Sequence, residues 1–204
     1  MIEDLGGRVA SVWSTLRPVT KQLLTGAMYP DPSSQSQPTQ TKFFYDAHAD
    51  IEVSSLLSAI DEQSASTEIR NDAEKRTEMS RLADTCVRLL EQSSASAEVF
   101  IQLATRALKE NDYVWLDKLA DQLADRYSAS EIAEIVRQTE IAPIRAIAYE
   151  TLAMLPTSTV EPLLDDPLYE EIGVAVLEQQ AFEFGSEASR EALDQHFGHF
   201  NDNN

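Results

Sequence analysis

The stretch LLDDPLYEEIGVAVLEQQ, residues 163–180, decides how the chain is read. It sets Asp165, Asp166, Glu170 and Glu171 within seven positions, either as oxygen ligands for a hard cation or as the start of a helix. Spacing favours the helix. With Asp166 as cap and Pro167 as first helical residue, Glu170 and Glu171 point about 100° apart, too divergent for one ion. Asp at a cap and acids in a first turn satisfy free N–H groups and complement the helix dipole. The frame behind them recurs. Tyr169, Glu170, Gly173 and Leu177 repeat the spacing of Ile144, Arg145, Ala148 and Leu152, one unit upstream. Leu116, Asp117, Ala120 and Leu123 give a looser echo one unit earlier still. Helical units recurring at such intervals mark a solenoid, in which each unit buries its apolar face only against its neighbours.

Outward from this stretch, the chain reads as about nine helices joined by short polar loops, with no run of alternating β-branched and aromatic residues that would argue for a strand. Asp50 is placed to cap a helix bearing Val53, Leu56, Leu57 and Ile60, and a second helix runs from about Glu68 to Glu91, with Asp84 and Arg88 as an i,i+4 pair. A third carries Val99, Phe100, Leu103 and Leu108; Asn111-Asp112 breaks it before Trp115, Leu116, Leu119 and Leu123. Ser128-x-x-Glu131 and Ser158-x-x-Glu161 are capping boxes, Pro143 and Pro167 start further helices, and Ser186 opens the last. Six glycines among 204 residues suit long helices better than turn-rich sheets.

Toward the N-terminus the character changes. Residues 8–27, RVASVWSTLRPVTKQLLTGA, form an amphipathic helix with Val9, Val12, Trp13, Leu16, Val19, Leu23 and Leu24 on one stripe. Pro18 should kink or split it and Gly26 end it. Residues 29–42, YPDPSSQSQPTQTK, hold three Pro and no periodicity, so they read as a flexible, partly extended linker. The expected organisation is an amphipathic segment at 1–28, this linker, an acidic helical body at 43–200 and a disordered tail at 201–204. Charge follows the same division: residues 1–44 carry four bases and three acids, residues 45–204 carry 12 bases and 32 acids. A body at −20 repels phosphate backbones, which argues against nucleic-acid binding. The acidity reads as solubility, as adaptation to a salty cytoplasm, or as a surface for a basic partner.

EIAPIRAIAYETLAMLP (140–156) and LLDDPLYEEIGVAVLEQQ share a Pro near the helix start, an aliphatic or aromatic residue, a small residue four on and a Leu four beyond. In these residues the chain resembles the short HEAT-like repeats of armadillo and HEAT proteins, of the kind also found in phycobiliprotein lyases. The resemblance covers about residues 110–182; at 166–180 Glu170 stands where the family has Arg, and Gly173 where it has Ala. It implies an irregular all-α superhelix that presents a surface to partners, with no shared catalytic residues. It also implies that a turn Asp pairs with a helix Arg of the neighbouring repeat, which here matches Arg145 with Asp165 or Asp166.

Other groupings carry little chemistry. The single Cys86 sits among Met79, Leu82, Leu89 and Leu90 at helical spacing, which reads as a buried thiol in a reducing compartment. His196 and His199 lie three apart, but Gly198 should end that helix between them. Asp46, His48 and Asp50 alternate and would converge only on an extended segment. Phosphate loops, nucleophile elbows and Cys/His pairs are missing from the sequence, so neither a cofactor nor a metal is expected. Nor is a membrane span, and three bases are thin for attachment to a membrane surface.

The expected function is therefore non-catalytic: a cytoplasmic protein-interaction, adaptor or assembly factor. The apolar stripe of Val9, Val12, Trp13, Leu16, Leu23 and Leu24, with Phe43 and Phe44, would engage a protein partner or a second copy, and the acidic solenoid face would attract a basic one. Folding of that stripe back onto the body, a lyase-like chromophore-handling enzyme, and a structural subunit of a larger complex are the alternatives.

Overall fold

The computed structural model describes residues 2–29 and 45–202, and of Glu3 and residues 199–202 the backbone alone. The expected linker, apart from Tyr29, and Phe43 and Phe44 lie outside the described residues. Among the described residues every regular element is helical, with twelve α-helices and two 3₁₀ turns. They divide into two compact units, residues 1–94 and 95–204, so the division falls inside the Ser/Ala-rich stretch 93–97 rather than at the Pro/Ser/Gln stretch.

The N-terminal unit starts with a 3₁₀ turn, Ile2–Asp4. Pro18 splits the amphipathic stretch into α1, Gly7–Thr15, and α2, Pro18–Met28. Leu16 and Arg17 between them are extended, as the residue before a proline must be, and Pro18 takes the first position of α2, where its missing N–H costs nothing. Gly26 does not end α2, which runs on to Met28. Gly6, ahead of α1, sits at φ +115°, and a Cβ there would meet the Gln63 side chain at 2.5 Å, so the chain turns into α1 only with glycine. Next come α3, Ala47–Ser64, α4, Thr67–Asn71, and α5, Ala73–Ser93. Helix α1 packs on α3, and α2 packs on both α3 and α5. Val9, Leu16, Leu24 and Met28 are buried with Val53, Leu56, Leu57 and Ile60 of α3 and Met79, Leu82, Cys86 and Leu90 of α5. Val9, Leu16 and Leu24 of the apolar stripe are thus covered inside their own unit, while Val12, Trp13 and Leu23 are half-buried and Val19 is exposed.

The cap of α3 is Asp46, which accepts from the Ala49 N–H at 2.8 Å, not Asp50 as the sequence suggested. Asp50 falls in the first turn instead and accepts from the Tyr45 hydroxyl at 2.5 Å. Residues 68–91 do not run as one helix either. Asp72, extended, ends α4 and caps α5 by accepting from the N–H groups of Glu74 and Lys75.

The C-terminal unit contains α6, Ala97–Glu110, α7, Tyr113–Arg126, α8, Ala129–Gln138, α9, Ala142–Met154, α10, Thr157–Val160, α11, Glu170–Phe182, and α12, Glu187–Asp202, with a 3₁₀ turn Glu161–Asp165 after α10. Asn111 adopts the left-handed conformation (φ 57°) that closes α6, and Asp112 caps α7 through the Trp115 N–H. Helix α6 pairs with α7 and α8 with α9, while α6 also packs on α8 and α7 on α9. Helix α11 then packs against α8, α9 and α12.

Four expectations about helix ends fail. Ser128 accepts from the Glu131 N–H, but Glu131 does not reach back. It accepts instead from the Ala97 N–H at the head of α6, at 2.8 Å. The second box is not formed, because Pro156 precedes α10 and Glu161 opens the 3₁₀ turn. Pro167 does not start a helix. Asp166 takes the Leu168 N–H on its carboxylate and the N–H groups of Tyr169 and Glu170 on its carbonyl, so 167–169 form a turn and α11 begins at Glu170. Gly173 lies where a Cβ would meet Leu163 at 3.1 Å, which lets the 3₁₀ turn close against α11. At the C-terminal end Gly198 does not stop α12, which continues to Asp202.

Candidate interaction surfaces

The proposed partner stripe on α1 and α2 is divided by the fold. Val9, Leu16 and Leu24 are buried, with at most 4 % exposure. Val12, Trp13 and Leu23 are half-buried along the outer edge of α1 and α2, with the Lys21 ammonium 5.9 Å from the centre of the Trp13 ring. What holds the segment in place centres on Arg17. Its guanidinium grips Asp46 with two bonds, at 2.8 and 3.1 Å, and donates through Nε to Glu52 at 2.9 Å. Its backbone N–H reaches the other Glu52 oxygen at 2.7 Å, and the buried Thr20 hydroxyl donates to Glu52 as well. The hydrogen bonds to Asp46 and Glu52 hold Arg17 above its ordinary value, and Arg17 with the Ala49 N–H holds Asp46 well below the usual carboxylate range. Burial pushes Glu52 upward, but its bonds from Thr20 and Arg17 outweigh that and leave it lowered. One arginine, isolated in the sequence, ties the joint of α1 and α2 to the start of α3.

The Arg145 pairing expected from the resemblance is not made. Arg145 lies 3.7 Å from Glu140, just before its own helix, and Asp165 is exposed. The link from α8 to the start of α11 is carried by other residues. Glu134 accepts two bonds from Arg137, at 2.5 and 2.7 Å, one from Gln138, and one from the Tyr169 hydroxyl at 3.1 Å. Arg137 is the main reason Glu134 is lowered to about 2. Glu170, from the acidic cluster, meets His196 of α12 at 3.1 Å. Among the described residues no group of three His, Cys, Asp or Glu gathers closely enough to hold a metal ion. Cys86 is buried and outside any disulfide. No helix among the described residues is long and apolar enough to cross a membrane.

Two surfaces escaped the sequence reading. The first is a groove of about 770 Å³ in the N-terminal unit, between the end of α2 and α5, lined by Arg76, Thr77, Ser80, Arg81, Asp84 and Arg88 among others. A signal was present: five of the chain's 16 bases fall between residues 70 and 88. The second is an exposed apolar corner of the C-terminal unit. Phe182 and Phe184, at the end of α11, are 77 % and 55 % exposed, and Met154, at the end of α9, is 75 % exposed. Those two helix ends are held together by Gln180, whose amide donates to the carbonyls of Ala153 and Leu155 at 3.1 and 2.8 Å. Gln180 in turn accepts from Ser189 at 2.8 Å, and Thr157 lies within 3.2 Å of both side chains. The sequence that carries this corner is strongly acidic: residues 139–204 hold 13 acids and two bases.

Compared with family models, with curated proteins and with solved structures, the chain finds no match in any of the three.

Proposed function

We propose that the protein is a non-catalytic protein-binding or assembly factor whose C-terminal unit, read as a short HEAT-like stack, takes up a basic amphipathic helix of a partner. Support for the stacked reading comes from the packing of α6 on α8 and α7 on α9, the relation expected of successive helix pairs. The observation that carries the function is the apolar corner of Met154, Phe182 and Phe184, held out in water within the most acidic part of the chain. Large exposed apolar residues beside a rim of one charge fit a partner with an apolar face and flanking Lys or Arg. Because Val9, Leu16 and Leu24 are committed to the interior of the N-terminal unit, this reading puts the binding surface at the corner rather than on the first helices.

The test uses a synthetic Leu/Lys amphipathic 20-mer and a scrambled peptide of the same composition, titrated into the full chain by calorimetry at about 0.15 M salt. The amphipathic peptide should bind at least about tenfold more tightly than the scramble, and Phe182→Ser with Phe184→Ser should remove that difference while leaving the melting temperature unchanged. Equal binding of both peptides, or binding untouched by the two substitutions, would reduce the interaction to bulk charge attraction and defeat the proposal.

A further inference from the structure

The Arg-lined groove of the N-terminal unit runs against the charge of the whole. Residues 76–88 carry three bases, Arg76, Arg81 and Arg88, and two acids, Glu78 and Asp84, in a chain of formal charge −19. Among the described residues the three guanidiniums are not all matched by a carboxylate. Arg76 donates to the Arg70 carbonyl at 2.8 Å and Arg88 to the Ala27 carbonyl at 2.9 Å, partners that fix direction without cancelling charge. Arg81 stands 3.5 Å from Glu78 and 5.8 Å from the centre of the Tyr29 ring. Glu78 is itself shared, since it accepts from the Tyr29 hydroxyl at 2.5 Å. Among the described residues Asp84 is the one carboxylate of the lining, between Arg81 and Arg88. On the floor the Thr77 and Thr85 hydroxyls turn back to carbonyls of α5, and Ser80 lies between them.

We propose that this groove binds an extended acidic peptide segment of a protein partner. Length argues for a chain over a compact anion. From Arg76 to Arg88 the helix rises about 18 Å, the span of five or six extended residues at about 3.3 Å each. A single phosphate could engage one end only. The donor pattern argues in the same direction. Asp84 interrupts the row of cations and repels a bare polyanion, whereas an extended peptide brings backbone N–H groups that Asp84 can accept between carboxylates facing the arginines. The overall negative charge does not forbid this. At physiological ionic strength charges more than about 8 Å away are largely screened, so the local arginines set the field in the groove. This site belongs to the N-terminal unit and stands independently of the apolar corner.

The experiment is fluorescence anisotropy of a labelled hexaglutamate peptide with the full chain at about 0.15 M salt, with labelled hexalysine as the opposite-charge probe. Saturable binding of hexaglutamate is expected at the groove. Ser80→Glu, an exposed position that places a carboxylate on the floor, should weaken it at least about tenfold, and Arg76→Gln should weaken it less. Circular dichroism should show both variants folded, and Phe182→Ser should leave the affinity unchanged, which separates this site from the corner. The proposal is overturned by a lack of saturable binding, by equal binding to the Ser80→Glu variant, by hexalysine binding as tightly as hexaglutamate, or by inorganic triphosphate displacing the peptide as effectively as unlabelled hexaglutamate.

Discussion

The two units fasten their helices with different chemistry. In the N-terminal unit α1 and α2 are held to α3 by charges: Arg17 bridges to Asp46 and Glu52, 29 and 35 residues away, in a position still open to water. In the C-terminal unit α9, α11 and α12 meet around a neutral knot. Gln180 and Ser189, at 4 % and 0 % exposure, satisfy each other and two backbone carbonyls, with Thr157 beside them. The difference follows from what each region has to close. Helices α1 and α2 must be brought onto α3 and α5 across the stretch 30–44, and a bidentate arginine fixes both position and direction at one point. The later helices are linked by short turns, so little closure entropy is spent and neutral bonds inside the packed layer suffice. The Arg17 joint should therefore respond to pH and salt, and the Gln180 knot should respond mainly to loss of packing or of a hydrogen-bonding partner.

The strongest way to break this comparison is to remove the apolar part of the first joint. Leu24→Ala deletes a fully buried side chain of α2 and should destabilise the N-terminal unit by about 2–5 kcal/mol, read from urea unfolding followed by circular dichroism. A change below about 1 kcal/mol would mean that α2 is not part of that core, and the segment would return to being a free arm. Next in size, Gln180→Leu takes the amide donor from the carbonyls of Ala153 and Leu155, while Ser189 keeps Thr157 and Ser186 as partners. It should cost about 1–3 kcal/mol, with little dependence on salt. A cost that shrinks as salt is added would show that the C-terminal knot is electrostatic after all.

How much of this was legible beforehand depended on the kind of signal. Apolar periodicity gave the helical class and most of the core, including Val53, Leu56, Leu57 and Ile60, because burial of a stripe is a local property of the sequence. Proline at 18 marked a real break for an equally local reason. Caps were less legible. Asp46 and Asp50 offer the same side chain four residues apart, and the choice was made by Arg17, distant in sequence, which Asp46 binds while capping α3. The second capping box lost to Pro156 and Pro162, which draw 157–165 into a short helix and a 3₁₀ turn. Candidate surfaces were the least legible of all. Arg17, Glu52 and Thr20 share no motif, and Phe182 and Phe184 look like ordinary core residues until the end of α11 leaves them outside. Whether an apolar residue is covered depends on which helix arrives beside it, and composition does not encode that.

The smallest effect is a pH response, read at the Arg17 joint and, for comparison, at Glu134 of the C-terminal unit. Asp46 and Glu52 are held below their ordinary values in the folded chain by Arg17 and its neighbours. A depressed folded value means that the unfolded chain takes up the proton first. The stability these groups contribute is therefore fully present above their unfolded values, near pH 4, and is lost as pH falls toward the folded ones. Glu134 behaves alike in the C-terminal unit, between its ordinary 4.5 and about 2. Arg17→Met removes the cause for the first pair only. At pH 7 the variant should melt a few degrees below the parent chain, and the gap should narrow between pH 4.5 and pH 2 as the parent loses the same contribution. Glu134→Gln should show a smaller gap at pH 7 that also closes over that range, since Arg137 and Tyr169 keep a neutral acceptor. Melting curves at pH 7, 4.5, 3 and 2, recorded for the three proteins, decide the matter. If the Arg17→Met gap stays constant down to pH 2, the joint between α2 and α3 is held by packing alone, and the contrast between a charged and a neutral fastening fails.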